Sequence, residues 1–295
     1  MAADRLRKEW TAMANIFMRF PEGKPKALTL SYDDGVEQDR TLMDILDKRQ
    51  IKCTFNINTG CFTEEGTVYP KGHIHRRLTK KAAVELFRNS GHEVAVHALT
   101  HPWLEKLPQN AVVHEILSDR KNIEALFGTM TRGMAYPYGT YSDNVVQVLQ
   151  DCGIVYARTT QYTEKFDIPG DWLRLKATCH HNNPKLPELT ERFVKETPDR
   201  APWLFYLWGH SYEFERDDNW NVIENFAEKA GGHDDTWYAV NIDIYDYVKA
   251  YERLVFAPDL SMVYNPSAIT VWFLKEGQLY SVKPGETKTV SLERT

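Results

Sequence analysis

The chain has 295 residues, 42% of them hydrophobic and 26% charged, an ordinary balance for a globular protein. Its 36 Lys and Arg against 41 Asp and Glu leave a net charge of −5, which gives no electrostatic reason to expect nucleic acid or an anionic membrane as partner. Apolar runs such as Trp203–Trp208 fall far short of the roughly 18 residues that suggest a membrane span, so a disordered tail, a nucleic-acid module and an integral membrane protein are set aside.

Near the N-terminus, Asn15 and Arg19 break the apolar stretch that a secretory signal needs, and the chain reads as cytoplasmic. Leu6, Trp10, Ala14 and Phe17 fall at helical spacing and predict a short amphipathic helix. Strands are then expected at Ala27–Leu30, Cys53–Ile57, His92–Val96, Met134–Tyr136, Ile154–Tyr156, Trp172–Ala177, Trp203–Trp208 and Trp237–Val240. Between them lie amphipathic helices marked by Leu42/Ile45/Leu46, Ala82/Ala83/Leu86/Phe87, Val112/Ile116/Ile123/Phe127, Val145–Leu149, Leu189–Val194 and Trp220–Ala230, with a tyrosine-rich helix to Leu254. Thr79 begins one, and Gly128 ends another. Seven or eight such βα units predict an α/β fold with a parallel sheet. Closure into a barrel is favoured over an open sheet, because no Gly-rich phosphate turn follows the first strand. This barrel is expected over 1–255, with a small β extension of unassigned role over 256–295. Cys53, Cys61, Cys152 and Cys179 form no CxxC and read as reduced, mostly buried thiols.

In a parallel barrel, functional groups collect on the loops that follow the strands. Asp33-Asp34-Gly35 follows the first strand and His97-Ala98-Leu99-Thr100-His101 the third; Pro137-Tyr138-Gly139 and Gly209-His210 come after later ones. His97 and His101, four residues apart, can face one metal ion if their segment is a helical turn. A carboxylate beside two imidazoles leaves coordination positions open for water and substrate. Two adjacent aspartates let one bind metal while the other takes a proton. Asp-Asp-Gly alone would read as a turn, and HxxxH alone as two solvent-facing histidines; their convergence on one rim points to a metal site.

Ser31-Tyr32-Asp33-Asp34-Gly35, His97–His101, Tyr136-Pro137-Tyr138-Gly139 and Leu207-Trp208-Gly209-His210 occur in an order that resembles the polysaccharide deacetylase family, the NodB-homology group of carbohydrate esterases. The resemblance covers roughly residues 27–210. It implies a distorted barrel of about seven strands, a divalent metal (commonly zinc, with Co, Mn or Ni as alternatives) and hydrolysis of acetyl groups, usually from N-acetylated sugars. It further implies Asp34, His97 and His101 as metal ligands, Asp33 as general base, His210 as general acid and the Tyr138 N–H as an oxyanion donor. An acetylated saccharide or related small molecule is the expected partner.

Two positions depart from the family pattern. Ala98 replaces the usual Ser or Thr, leaving a hydrogen bond absent or supplied by Thr100. Ala135 stands where an arginine usually orients the base; Arg132, Arg158 and Arg174 are all candidates to replace it. Asp167 through Asp171-Trp172 resembles an acidic-Trp motif with altered spacing. Tyr136, Trp172, His180 and Tyr212 are candidate substrate contacts, and Trp103 and Tyr141 candidate stacking faces. His73 and His75 read as solvated loop histidines. The rival enzymatic reading is hydrolysis of a non-sugar linear amide or cyclic imide; the non-enzymatic one is a degenerate sugar-binding barrel, which would have no need of Asp33 or His210.

Overall fold

The structure is a computed structural model and describes residues 15–290. Ten strands and eight helices build the main body. In chain order they are β1 (Ile16–Arg19), β2 (Lys26–Asp34), α1 (Asp39–Asp47), β3 (Cys53–Ile57), α2 (Lys80–Phe87), β4 (Glu93–Val96), α3 (Gln109–Phe127), β5 (Gly133–Ala135), α4 (Asp143–Asp151) and β6 (Tyr156–Tyr162). There follow β7 (Leu175–Ala177), β8 (Cys179–His180), α5 (Leu186–Lys195), β9 (Trp203–Gly209), α6 (Tyr212–Arg216), α7 (Asn221–Ala230), β10 (Thr236–Tyr238) and α8 (Asn241–Glu252).

The parallel sheet runs β7-β6-β5-β4-β3-β2-β9-β8. Its two ends are one extended segment: β7 pairs with β6, and β8, one residue later, pairs with β9. Thr178 between them donates its N–H to Tyr206 O at 2.8 Å. The sheet therefore closes into a ring of seven strand positions, counting β7 and β8 as one. β10 lies beside the start of β2, at Lys26–Leu28, below the point where β3 begins its pairing at Leu30. The ring is irregular. β4 and β5 share a single register pair, and the β6–β7 register shifts between Arg158 and Tyr162.

Every residue of β2 is buried, as expected where a strand has one face in the ring and the other under helices. Leu28, Leu30 and Tyr32 pack outward with Leu42, Leu46 and Phe214, whereas Ala27 joins the cluster of Tyr156, Leu175, Tyr206 and Trp208. The buried Lys26 ammonium donates to the carbonyls of Phe193, Val194 and Glu196 at the C-terminal end of α5 and pairs with Asp235 at 2.7 Å. Helix ends follow their local chemistry. Thr79 Oγ1 accepts from Ala82 N at the start of α2, and Gly128 ends α3 at φ 71°, a left-handed conformation that glycine adopts at little cost.

Three expectations are corrected. Phe17 belongs to β1, which pairs antiparallel with Val271–Lys275, so its backbone is satisfied by a distant strand and not by a helix; Leu6, Trp10 and Ala14 lie outside the described residues. The strand expected at Ile154–Tyr156 begins at Tyr156 and continues through polar residues to Tyr162. Trp172–Arg174 is a single turn, capped by Asp171 accepting from Leu173 N and Arg174 N, and only Leu175–Ala177 is strand.

Beyond α8, β11 (Val255–Phe256), β12 (Met262–Tyr264) and β15 (Thr287–Thr289) form one antiparallel sheet. The hairpin β13 (Val271–Lys275) and β14 (Gln278–Val282) forms another with β1. Phe273, Val271 and Val282 pack there with Ala250 of α8 and Leu254 just beyond it. The four cysteines are free, three buried and Cys61 half-buried. Among the described residues no helix is long and apolar enough to cross a membrane.

Candidate active site

Asp33 and Asp34 end β2, and the strand pleat sends adjacent side chains to opposite faces. Asp33 faces the ring interior. Asn56 of β3 donates to its Oδ1 at 2.9 Å, and the Arg158 guanidinium of β6 donates to its Oδ2. Arg158 is fully buried and lies 4.5 Å from the Trp208 ring centroid. Burial alone would raise the Asp33 carboxyl, but Arg158, His97 and His210 hold it below the usual carboxylate range. Arg158 is thus the one of the three candidate arginines that reaches Asp33: Arg132 pairs with Asp246, and Arg174 with Asp143 and Asp171.

Asp34 has turned out of the strand at φ 88°. Its Oδ1 lies 3.8 Å from His97 Nε2 and 3.7 Å from His101 Nε2. The His97–His101 segment is a loop and not a helical turn, with Ala98 and His101 at φ 60° and 59°. Such left-handed conformations at non-glycine residues persist only where surroundings impose them. Here Asn58 Nδ2 donates to the carbonyls of His97 and Ala98, and Asp119 Oδ2 accepts from His97 N at 3.1 Å. Thr100 does not replace the hydroxyl missing at Ala98, because its own Oγ1 donates to Glu115 at 2.8 Å.

His97 Nδ1 lies 2.8 Å from Ala135 O. A carbonyl only accepts, so Nδ1 carries the proton and Nε2 presents its lone pair toward Asp34. Burial lowers both imidazoles, His101 to about 4. Two neutral imidazoles and a carboxylate held ionised are a donor set that fits a divalent metal such as zinc.

His210 follows β9. Its Nε2 is 3.9 Å from Asp33 Oδ2, and its Nδ1 is 3.5 Å from Glu213 Oε2. Burial would lower this imidazole, but Glu213, Asp33 and Asp34 raise it above its ordinary value. The same Glu213 oxygen lies 3.1 Å from His180 Nε2 and 3.2 Å from His181 Nε2. His180, His210 and Glu213 could by spacing alone hold a metal. However, His180 Nδ1 accepts the Asn182 N–H at 3.1 Å, so its Nε2 carries the proton on the side of Glu213 and offers no lone pair there. This group is an ion-pair cluster of three imidazoles around one carboxylate.

Tyr138 sits in the turn after β5 at φ 58°. Its ring stacks on Trp103 with centroids 4.0 Å apart and meets His101 edge-on at 4.6 Å. Both outer rings are open to solvent, Trp103 at 39% and Tyr138 at 47%. Tyr136 and Trp172, by contrast, are not available to a ligand. Tyr136 is 1% exposed with its hydroxyl donating to Leu173 O, and Trp172 is 7% exposed within the core beside Tyr245. Tyr141 packs on Tyr136. His180 and Tyr212 remain at the rim, Tyr212 with centroids 5.2 Å from His210.

Sequence reasoning missed four contributors: Asn58, Asp119, Glu213 and the His75–Arg77 pair. His75 is not merely solvated. Its Nε2 lies 3.0 Å from Asp34 Oδ2, while Arg77 donates to Asp34 Oδ1 at 3.0 Å. Burial would raise Asp34, but the His75 hydrogen bond and the Arg77 charge hold it well below the carboxylate range. The visible signal was the basic string His73-Ile74-His75-Arg76-Arg77 in an otherwise unremarkable long loop.

Comparison with known proteins finds partial relatives named as carbohydrate deacetylases. The chain is 27% identical over 136 residues to chitin deacetylase 1 of Cryptococcus neoformans, covering 46% of this chain and 26% of that protein. It is 25% identical over 144 residues to a chitooligosaccharide deacetylase of Sinorhizobium fredii, covering 48% of this chain and 60% of that protein. The chain thus spans between about a quarter and three fifths of these relatives. A solved structure from Mycobacterium smegmatis, assigned as a polysaccharide deacetylase, shares the fold at TM-score 0.51 and 17% identity, over 81% of this chain and 96% of that one. Residues 21–157 match the polysaccharide deacetylase family, a segment that carries three of the four motifs gathered on the rim.

Proposed function

We propose that this chain is a metal-dependent hydrolase that removes acetyl groups from an N-acetylated, or alternatively O-acetylated, carbohydrate. One observation carries the reading: Asp33, held ionised by Arg158, lies 3.9 Å from His97 Nε2 of the Asp34–His97–His101 donor set, and His210, held toward its protonated form by Glu213, lies 3.9 Å from Asp33. That is an acid and a base with opposed pKa displacement beside one electrophile-binding position. The chemistry is assigned to the barrel within 1–255, and the 256–295 extension is given no catalytic part.

Asp34, His97 and His101 would hold the cation, with zinc favoured by two imidazoles and one carboxylate. When bound, such an ion polarises the acetyl carbonyl and makes water acidic enough to attack near neutral pH. Asp33 accepts the attacking water's proton, and Arg158 keeps that carboxylate charged until it does. The Tyr138 N–H binds the oxygen on which negative charge develops. His210 donates from Nε2 to the departing nitrogen, which leaves poorly as an anion, and Glu213 on Nδ1 supports the imidazolium beforehand. The stacked Trp103 and Tyr138 rings offer an apolar face for a sugar ring beside His101.

The test is acetate release from a panel of N- and O-acetylated saccharides, run with chelator and then with zinc restored. Release that stops with chelator and returns with metal is expected. No release from any member, with one zinc bound per chain, would move the substrate to a non-sugar amide.

A further inference from the structure

We propose that His75 is a positioning residue for metal retention: its Nε2–H, 3.0 Å from Asp34 Oδ2, fixes the outer oxygen of that carboxylate so that Oδ1 stays aimed at His97 and His101. The inference rests on the metal reading above and adds a residue that lies outside the four motifs. The two oxygens of Asp34 are in different surroundings. Oδ1 is the one 3.8 and 3.7 Å from the two histidine nitrogens, and Oδ2 is the one His75 engages. With Arg77 on Oδ1 alone, the carboxylate would be held at one oxygen and could still pivot about that bond. Every rotation out of register weakens a site that needs three donors at once.

The His75 ring is itself held. It meets Tyr212 edge-on with centroids 4.8 Å apart at 89°. On either side of it the loop is pinned to the elements that carry the rest of the site. Arg76 makes a bidentate pair with Glu215 of α6 at 2.7 Å on each nitrogen and a third bond to Glu37 at 2.7 Å. Gln38 Nε2 donates to Ile74 O at 2.6 Å and to Glu215 at 2.8 Å. Arg77 donates to the Asp34 carbonyl, to its Oδ1 and to Asn58 Oδ1. A carboxylate oxygen has two lone pairs, so Arg77 on Oδ1 leaves one for a cation. The loop after β3 therefore acts as a clamp across Asp34, anchored on the same short helix that presents Glu213. His75, at 40% side-chain exposure, is its least buried working part, and its removal takes from the buried Asp34 Oδ2 the donor that fixes it.

The experiment measures zinc affinity by competition with a chromophoric chelator, using the full chain and zinc alone as probe. His75→Ala is expected to bind zinc about 10- to 100-fold more weakly than the unsubstituted protein. His75→Gln keeps an N–H donor that can reach Oδ2, and its affinity is expected to stay within about threefold; a donor effect predicts this rescue and a packing effect does not. His101→Ala serves as the ligand-loss control, and the thermal midpoints of the metal-free proteins are compared to exclude misfolding. Unchanged zinc affinity in His75→Ala, beside a clear loss in His101→Ala, overturns this inference alone. Equal weakening in His75→Ala and His75→Gln overturns it as well. If neither the unsubstituted chain nor any variant binds zinc, the metal reading fails and takes the inference with it.

Discussion

Arg158 and Ala135 are register partners on neighbouring parallel strands, β6 and β5. The arginine that the family pattern places two residues before the Tyr136-Pro137 turn's proline is therefore displaced sideways by one strand. Its guanidinium still reaches Asp33: Arg158 donates to that carboxylate from 125 residues away. The ring makes the exchange possible, since both positions face the same interior and a long side chain can start from either strand.

The first prediction follows from that exchange. Arg158→Met removes the strongest of the charges that lower Asp33, so burial dominates and the Asp33 carboxyl rises. A base works only when ionised, so the acid limb of the kcat/KM profile should move to higher pH and kcat should fall by about 10²-fold or more near pH 6. The double variant Ala135→Arg with Arg158→Ala should recover part of the rate. An acid limb unmoved in Arg158→Met would separate Arg158 from the base.

Substitution of the proposed acid and base should separate chemistry from metal binding. Asp33→Asn and His210→Ala are each expected to lower kcat by about 10²- to 10⁴-fold, with metal content measured in the same samples staying at the unsubstituted level. Persisting turnover in Asp33→Asn would mean the base is another group.

Asp119 should matter to folding before it matters to rate. Its carboxyl takes Thr59 N at 2.8 Å, Thr59 Oγ1 at 2.7 Å and His97 N at 3.1 Å. Asp119→Ala leaves the half-buried Thr59 N and Oγ1 without these partners while His97 N keeps its bond to Ile57 O at 3.1 Å, at about 1–3 kcal/mol per lost partner, so a loss of about 2–4 kcal/mol in urea unfolding is expected. Looser metal binding through His97 should accompany it. A variant as stable as the parent would show that water replaces the carboxylate.

Glu93, remote from the reaction, provides a pH test of the fold. Burial pushes its carboxyl up to about 7, against hydrogen bonds from Ile242 N, Tyr156 and Thr54. Its unfolded value is about 4.3, so between these values the native state binds a proton that the unfolded chain does not. That contribution to stability is full below about pH 4 and is lost as pH rises through about 7. Glu93→Gln should flatten the change in unfolding free energy between pH 5 and 7.5 relative to the parent. Identical pH dependence in both would refute the shift.

Legible in the chain alone were the features written within one turn or one strand. The alternation of apolar strands and amphipathic helices, Thr79 and Gly128 at helix ends, and the four motifs with Asp33, Asp34, His97, His101, Tyr138 and His210 are all of this kind, because period, capping and turn chemistry act over a few residues. The tertiary structure alone decided which of three arginines crosses the ring to Asp33, because that depends on the stagger of β6 against β5 and β2. It also decided that Tyr136 and Trp172 turn into the core, that Glu213 gathers three histidines, and that a loop histidine closes on Asp34. Each of these joins residues far apart in the chain, and the physical reason is common to all of them. Strand register and loop placement are set by the summed burial of the whole barrel, and no local pattern carries that information.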